Sequence, residues 1–501
     1  MFDAARDRVD GALTIFPGAL ARLGLVDRQK GEEAFDLAVP AMVTGGLRTI
    51  LRTADFLMVS IALGDEAVAA LEFGFQYYFI PFGLALALTS GTISTVSRFK
   101  GAGEDARANL AIKQTLWLSI LLSVPMTIGS WMYADEMIGL LTDSETVVAL
   151  GAVYLRIVML SVVFRFWSMA AARALAGAGD TRTPMHVRLL TLPTNILLNA
   201  FLIFGLGPFP ELGIAGAAWG TAIANTLAGL IFLGLFVAGR RSVRLRLRGP
   251  QFDPTIIKEL IRVGTPLAGT RLSRTLGRFP FLFVLSALGT PVVAAYAIAR
   301  RVMLLALMPA WGYSTASSTL VGQSIGAGDD EEATDYGWQT LRIALVTQLL
   351  IGAAIMIAAR PIALAFGTAH VAGTVDFIRL FGVGVAAFSV SRTMRGGLRG
   401  AGDTSWPFYG GLIGTYVVRL PLAFLALPVG YAVAFGPVAM GGVSIPSFSI
   451  SPGLDWGIWA IYAAILGDMY ARALVNLVRF ASGRWKEVAR RSEAGPDPTS
   501  D

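Results

Sequence analysis

The two halves of this chain carry the same short sequence blocks in the same order. In each pair the second copy follows the first by nearly the same distance, about 225 residues. An offset shared by three separate blocks is poorly explained by chance similarity, so the chain is predicted to be an internal duplication whose halves fold alike. The repeated blocks are ALG with VAA at 62–70 and 287–295, GAG at 101–103 and 326–328, and GAGDT at 177–181 and 400–404.

Long apolar stretches separate these blocks. The 501 residues are 54% hydrophobic and 15% charged, with a mean hydropathy of +0.62, which is too apolar for a soluble protein of this size. A helix needs about 20 residues to cross a hydrocarbon core roughly 30 Å thick, whereas β-barrel strands would be about half as long and alternating. About twelve stretches are long enough. They lie near 34–62, 66–97, 108–133, 143–176, 184–207, 213–239, 254–288, 291–323, 334–358, 370–400, 405–427 and 456–480.

Each half has an even number of predicted spans, so both halves start on the same side of the membrane. Parallel repeats of this kind are a transporter design. The predicted fold class is an all-α membrane protein, with 12 transmembrane helices in two parallel six-helix pseudo-repeat bundles around a central cavity. The predicted segments are a cytoplasmic amino-terminal segment with an interfacial helix (1–33), the N-lobe (34–239), a basic cytoplasmic linker (240–253), the C-lobe (254–480) and a cytoplasmic tail (481–501).

Lys and Arg residues gather in alternate loops and in the tail, for example at 98–107, 240–248 and 479–491. The positive-inside rule assigns such loops to the cytoplasm, so both termini are predicted to be cytoplasmic in a multi-pass protein of the plasma membrane. Because these cations lie at span ends, where they anchor helices to anionic lipid, the net charge of +7 does not indicate nucleic-acid binding.

Four of the prolines inside predicted spans are candidates for a bend. Several spans exceed about 25 residues, so they must tilt, bend or project beyond the bilayer. Proline removes a helical hydrogen bond and is the commonest cause of a sharp bend. The predicted bend points are Pro40, Pro81, Pro266 and Pro309.

Polar residues inside the spans can be sorted by whether the other half keeps them. Arg48 and Arg52 recur as Arg274 and Arg278, at the same distances from a proline, which favours a structural role. Asp55 does not recur, because phenylalanine or proline stands at the equivalent position. A carboxylate inside a span costs roughly 2.5 to 3.5 kcal/mol on insertion scales and indicates an ion or proton site.

Two further helices supply candidate partners for Asp55. Asn195 and Asn199 are four residues apart and therefore share one helix face, whereas the equivalent positions of the second half are apolar. Asp55, Asn199 and Thr221 each lie about eight residues from an outer span end, or about 12 Å deep. One carboxylate, two amide oxygens and a hydroxyl are hard ligands for a small cation. The sequence therefore predicts a coupling-ion site, for Na⁺ if the ion is a metal.

Two other interpretations of Asp55 remain open. It can pair with Arg52, three residues earlier, while the asparagines bridge neighbouring helices. It can instead carry a proton between the two sides of the membrane without any metal, with Glu72 as a second proton site. Other intramembrane charges, Arg300 and Arg419 among them, are assigned no substrate contact from the sequence.

The chain has few of the residues that form disulfides, bind transition metals or catalyse reactions. There are no cysteines and only two histidines, which leaves nothing for disulfides, thiolate chemistry or a His-rich metal site. An intramembrane enzyme would use paired acids or a His and Asp arrangement, and the sequence has none with recognisable spacing. We therefore predict a protein that is not an enzyme and that needs no cofactor beyond a coupling ion.

The segments ARALAGAGDTRTP at 172–184 and NILLNAFLIFG with LGIAGAAWGTAIAN at 195–225 are similar to those of the multidrug and toxic compound extrusion (MATE) family. So are ALGDEAVAAL near 62, VGQSIGAGDD near 321 and LRGAGDTSWP near 398. These segments occur in a consistent order, and the resemblance covers about 34–480. It implies twelve helices in two lobes, and export of organic, often cationic or amphipathic, compounds driven by inward flow of Na⁺ or H⁺.

Within that family, Asp55 resembles the first-span acid of the archaeal and DNA-damage-inducible branch, and Pro40 resembles the proline at which that helix bends. The resemblance aligns Asn195, Asn199 and Thr221 with the remaining polar positions of the cation site in that lobe.

The chain departs from family patterns at two positions. Asn199 stands where the archaeal pattern carries a second aspartate, which weakens the attraction for a cation. Phe388 stands where the sodium-coupled vibrio-type branch carries an aspartate, which disfavours coupling through the C-lobe.

The alternative function within transport is a lipid-linked saccharide flippase of the same superfamily architecture, and an intramembrane enzyme is a distant third. Met58, Gln76 and Tyr77 are the predicted substrate-cavity residues. The transporter is predicted to act as a monomer on a small organic molecule in the bilayer. The repeated GAGDT motifs favour the exporter over the flippase.

Overall fold

A computed structural model describes residues 16–140, 144–239, 242–245, 248–366, 368, 370–431, 433–435, 438–440, 443–445 and 448–493. Within these ranges, the side chains of 48–57, 60, 64, 65, 68, 69, 72, 76, 79, 271, 272, 274, 275, 279, 290, 433–450 and 491–493 are not described.

Helices dominate the described residues and follow the order of the predicted spans. Residues 16–22 are helical. The N-lobe helices are α1 (Arg28–Gly101), α2 (Asp105–Met132), α3 (Ala134–Gly139), α4 (Glu145–Met159), α5 (Val162–Gly177), α6 (Arg182–Phe204) and α7 (Ile214–Val237). The C-lobe contains α8 (Pro254–Leu276), α9 (Arg278–Ala287), α10 (Thr290–Ala306), α11 (Met308–Gly326), α12 (Asp330–Ile357), α13 (Ala359–Ala365), α14 (Val371–Gly400), α15 (Ser405–Leu412), a π-helical segment (Ile413–Arg419), α16 (Leu420–Phe424) and α17 (Gly457–Ala481), followed by α18 (Trp485–Glu493).

Seven of the described helices are long and apolar enough to cross a membrane, and two bent pairs raise the number to nine. The predicted all-α membrane architecture is confirmed. Strands occur between the last two predicted spans, where β1 (Val433–Phe435) pairs antiparallel with β4 (Phe448–Ile450) and β2 (Val438–Met440) pairs antiparallel with β3 (Val443–Ile445).

Helix α1 contains the first two predicted spans. The chain reverses direction within this helix, so the two spans lie side by side. A straight helix of 74 residues would be about 111 Å long. Both of its end regions nevertheless contact α11: Gly312 lies against Ala38, and Gly322 lies against Ser97. These two glycines are only about 15 Å apart along α11, so the two arms of α1 run antiparallel.

Some predicted bends are found and others are placed differently. The eighth span bends by 42° between α10 and α11, next to Pro309. The fourth span bends by 50° between α4 and α5, where no proline stands. Helix α8 continues through Pro266, and the seventh span is instead interrupted at Gly277. A bend at Pro40, inside α1, stays a prediction.

The repeated GAG motif marks a crossing of α1 and α11 at very short range. A Cβ atom on Gly101 would lie 1.8 Å from the carbonyl oxygen of Gln323, and one on Gly326 would lie 1.9 Å from the carbonyl oxygen of Arg98. The two contacts are equivalent under the duplication. Since any side chain would clash with backbone, only glycine allows these helices to meet.

The GAGDT motif makes a second pair of equivalent contacts. A Cβ atom on Gly177 would lie 2.7 Å from the carbonyl oxygen of Ile93, and one on Gly400 would lie 2.5 Å from that of Ser318. The next motif glycine is left-handed in each copy, with φ of +87° at position 179 and +79° at position 402. Glycine is the usual residue for such helix ends.

The loops that carry these motifs meet at one end of the molecule, which we call the GAG end and predict to be cytoplasmic. There the two lobes are joined by an ion pair between Arg98 and Glu259. The Thr319 hydroxyl also donates to the Ala176 carbonyl at 2.7 Å. Further bonds between the lobes run from Lys30 to Asp335, from Tyr336 to Glu33 and from Gln323 to Gly177.

We expect Gly326→Ala to separate the lobes at the GAG end, because the new methyl group would overlap the Arg98 carbonyl. The free energy of unfolding should fall by about 1–3 kcal/mol, as for other overpacked sites. The chain has no cysteine, so Ala106→Cys and Glu331→Cys can carry spin labels, whose separation should increase. Gly129→Ala, which adds a methyl group to open space, is the matched control. An unchanged melting temperature and spin distance would contradict the crossing.

Candidate ion site in the N-lobe

Two buried amides lie on one face of α6. Asn195 is 2% exposed and Asn199 is fully buried. The Nδ2 of Asn199 donates to Oδ1 of Asn195 at 3.5 Å. The two side chains therefore point in the same direction, as their spacing predicts.

Helix α7 packs directly against these amides. A Cβ atom on Gly220 would lie 1.9 Å from Oδ1 of Asn199, and one on Gly216 would lie 2.3 Å from the Leu202 carbonyl oxygen. Small residues four apart allow such close approach of helices in membranes. Gly220 is followed immediately by Thr221, which is half-buried, so the structure brings the Asn199 amide and the Thr221 segment of α7 together.

The other predicted site residues fall into two groups. The side chains of Asp55, Glu72 and Gln76 lie outside the described residues, and contact between the Asp55 carboxylate and the amides stays a prediction. Met58 packs against the N-lobe core, and the Tyr77 hydroxyl donates to a backbone carbonyl of α3. A substrate contact by either residue also stays a prediction.

A second polar cluster lies in the N-lobe interior and was not predicted. Nδ2 of Asn225 donates to the Tyr78 hydroxyl at 3.0 Å and to Oγ of Ser161 at 3.3 Å. Nη1 of Arg165 donates to Oδ1 of Asn225 at 3.1 Å. Asn225 therefore joins α1 and α7 to the break between α4 and α5.

This cluster places a fixed positive charge inside the lobe. None of the ion pairs among the described residues includes Arg165, and its Nε is buried without a hydrogen-bond partner. The sequence contained one indication that Asn225 faces the lobe interior. Asn225 follows Thr221, a predicted site residue, by four residues and therefore shares its helix face.

The ligand chemistry at the amide site is that of oxygen donors. Among the residues that the structure describes, no group of three or more His, Asp or Glu side chains could hold a metal ion. Amide and hydroxyl oxygens suit an alkali cation rather than a transition metal. An ion here would act as transported cargo, not as a resident cofactor.

A family model described as MatE matches residues 40–201 and 266–425, a large part of each lobe. This chain belongs to the MATE family. MATE proteins are membrane transporters and not enzymes, as predicted for this chain.

Two relatives and one solved structure show how far the likeness extends. The probable multidrug resistance protein NorM of Thermotoga maritima is 28% identical over 462 residues, which cover 91% of this MATE chain and 94% of that protein. The FAD transporter of Shewanella oneidensis is 26% identical over 353 residues, covering 69% and 76%. A crystal structure of MATE in the bent conformation has a TM-score of 0.80 at 22% identity, covering 97% of this chain and 99% of that one. This MATE protein therefore has the all-helical fold of the solved MATE structures.

We expect Asn225→Leu to destabilise this MATE protein by about 1–3 kcal/mol, because it leaves the half-buried Arg165 and the buried Tyr78 without their amide partner. Thermal unfolding in detergent measures the change. Thr265→Val removes an exposed hydroxyl that donates to its own helix and should be nearly neutral. Equal melting temperatures for the two variants would show that the Asn225 network contributes nothing.

Proposed function

We propose that this MATE protein is a secondary antiporter that exports organic compounds and takes up Na⁺ or H⁺ through its N-lobe. The observation that carries the proposal is the polarity of α6. Asn195 and Asn199 are buried there, whereas the equivalent positions of the duplicated helix, near Val418 and Leu422, are apolar. Polar groups kept in only one of two duplicated lobes have a role beyond the shared fold.

The packing of the lobes supports alternating access. Among the described residues, the apolar cluster around Leu71 and Phe166 is built from N-lobe residues alone, and the cluster around Phe281 from C-lobe residues alone. At the GAG end, by contrast, Val96 and Leu260 of different lobes share one cluster. This arrangement supports a state closed at the GAG end and open at the opposite, predicted outer end.

Coupling requires that ion and substrate favour different states of the same protein. In the proposed cycle, an ion from outside binds Asp55 and the amides of α6. The packing of α1 against α6 and α7 then changes, and the lobe releases its substrate outward. The lobes next separate at the GAG end, where the ion leaves and a new substrate enters.

The same proposal covers the oligomeric state, the location, the substrates and the coupling ion. The transporter acts as a monomer in the plasma membrane with both termini in the cytoplasm. Its substrates are organic compounds of the multidrug type that the names of its relatives indicate. The donors at the amide site suit Na⁺, and Asp55 alone suffices for H⁺.

Asp55→Asn is expected to abolish gradient-driven efflux, because the neutral amide can neither release a proton nor attract a cation. Efflux from proteoliposomes under separately imposed Na⁺ and pH gradients measures the loss and identifies the ion. Asp376→Asn, which neutralises an exposed acid of α14, is the matched control and should transport normally. Both proteins should insert and elute alike. Wild-type ion dependence in Asp55→Asn would remove the N-lobe from the coupling mechanism.

A further inference from the structure

One arginine of the C-lobe is fixed on a pair of aromatic rings. The guanidinium of Arg419 lies 3.7 Å from the centroid of the Phe281 ring, and its Nη2 donates to the Tyr296 hydroxyl at 3.2 Å. The Phe281 and Tyr296 rings meet edge to face at 5.6 Å. These contacts hold the guanidinium in one place and leave its Nε without a hydrogen-bond partner.

Two further arginines lie beside it. Arg300 follows Tyr296 by four residues on α10, and Arg278 precedes Phe281 by three residues on α9. Each therefore shares a helix face with one of the two rings that hold Arg419. Arg300 is also close enough to Arg278 and Arg419 for their positive charges to repel. Arg278 is exposed and the other two are half-buried, so none is sealed inside the core. We call Arg278, Arg300 and Arg419 the arginine cluster.

Among the residues that the structure describes, no carboxylate is paired with the arginine cluster. None of its members forms an ion pair with any residue that the structure describes, and Nε of Arg419 is buried without a hydrogen-bond partner. The nearby Arg472 behaves differently, because its Nε bonds the Asp468 carboxylate at 2.5 Å, as its spacing predicts. Charged groups inside a membrane protein normally pair with one another or mark a substrate pathway.

The depth of the arginine cluster matches that of the N-lobe amides. Arg278 begins α9, Arg300 follows the start of α10 by ten residues, and Arg419 precedes the short α16. They lie nine, ten and five residues, respectively, from the helix ends opposite the GAG end, or about 8–15 Å deep. The two lobes thus present neutral oxygen donors and guanidinium groups at the same level.

We propose that the arginine cluster binds the anionic group of the exported compound, a carboxylate or phosphate attached to a planar aromatic body. Guanidinium groups hold such anions through paired, charge-assisted hydrogen bonds. The Phe281 and Tyr296 rings supply an aromatic surface beside them. This inference rests on the proposed export function, and it differs from the cationic substrates that the family resemblance implies.

The test uses two xanthene dyes that share a ring system and differ in charge. Carboxyfluorescein is an anion, and rhodamine ethyl ester is a cation. We expect the purified wild-type transporter to bind carboxyfluorescein, measured by fluorescence anisotropy, and to export it from proteoliposomes. The double variant Arg300→Gln with Arg419→Gln should weaken that binding and raise the KM for carboxyfluorescein at least about tenfold, the effect of losing one charge-assisted contact. Transport of the rhodamine ester should fall less.

Control variants separate a binding role from a folding role. Arg379→Gln removes an exposed arginine of the same lobe and should leave the KM for both dyes unchanged. Arg419→Lys keeps the charge but loses the paired geometry, and should give an intermediate KM. If the double variant does not fold, the single Lys variant still provides the comparison. Equal KM values for carboxyfluorescein in wild type and Arg419→Lys would overturn the proposal.

The remaining outcomes distinguish this inference from the export function. Carboxyfluorescein binding that depends on the arginine cluster, without gradient-driven efflux, would support the anion site while contradicting the antiporter. Efflux that depends on Asp55 but not on the cluster would overturn the anion site alone. A lipid headgroup is the other source of a phosphate. If phosphatidylglycerol vesicles displace the dye and the dye itself is not exported, the assignment to an exported compound is overturned.

Discussion

The contact between bare helix backbones at the GAG end is the constraint on which the arrangement of the two lobes depends. Gly101 and Gly326 let α1 and α11 cross where no side chain fits, and Gly177 and Gly400 repeat this between α5 and α1 and between α14 and α11. Backbone contact of this kind gains dispersion energy without ordering side chains. It can therefore form and separate as a unit, which suits a transporter whose lobes must part at this end.

The two lobes share a fold but differ in the chemistry of their interiors. At one depth, the N-lobe offers the amides of Asn195 and Asn199, and the C-lobe offers guanidinium groups such as that of Arg419. A duplicated scaffold fixes the positions of its helices by small-residue contacts, so single substitutions can change polarity without changing the packing. Separate sites for an ion and for an organic anion are compatible with one architecture for that reason.

The sequence predicted the spans and the duplication because hydropathy and repeated glycines are local signals. The amide pair of α6 was predictable from a spacing of four residues. The Asn225 network was not, because Tyr78 is 147 residues away in the chain and only the packing of α1 against α7 brings them together. The break between α4 and α5 was not predicted either, because no proline lies there. Likewise, Arg419, Phe281 and Tyr296 belong to three helices, and no periodicity connects them.

The π-helical segment Ile413–Arg419 has a consequence for how the two lobes diverged. A π-turn accommodates one residue more than an α-turn, so an added residue is taken up within this segment and the helix beyond it keeps its orientation. Arg419 stands at the end of this segment. An inserted residue, and not only an exchange of side chains, can thus have placed a guanidinium beside the aromatic rings while the neighbouring helices kept their packing.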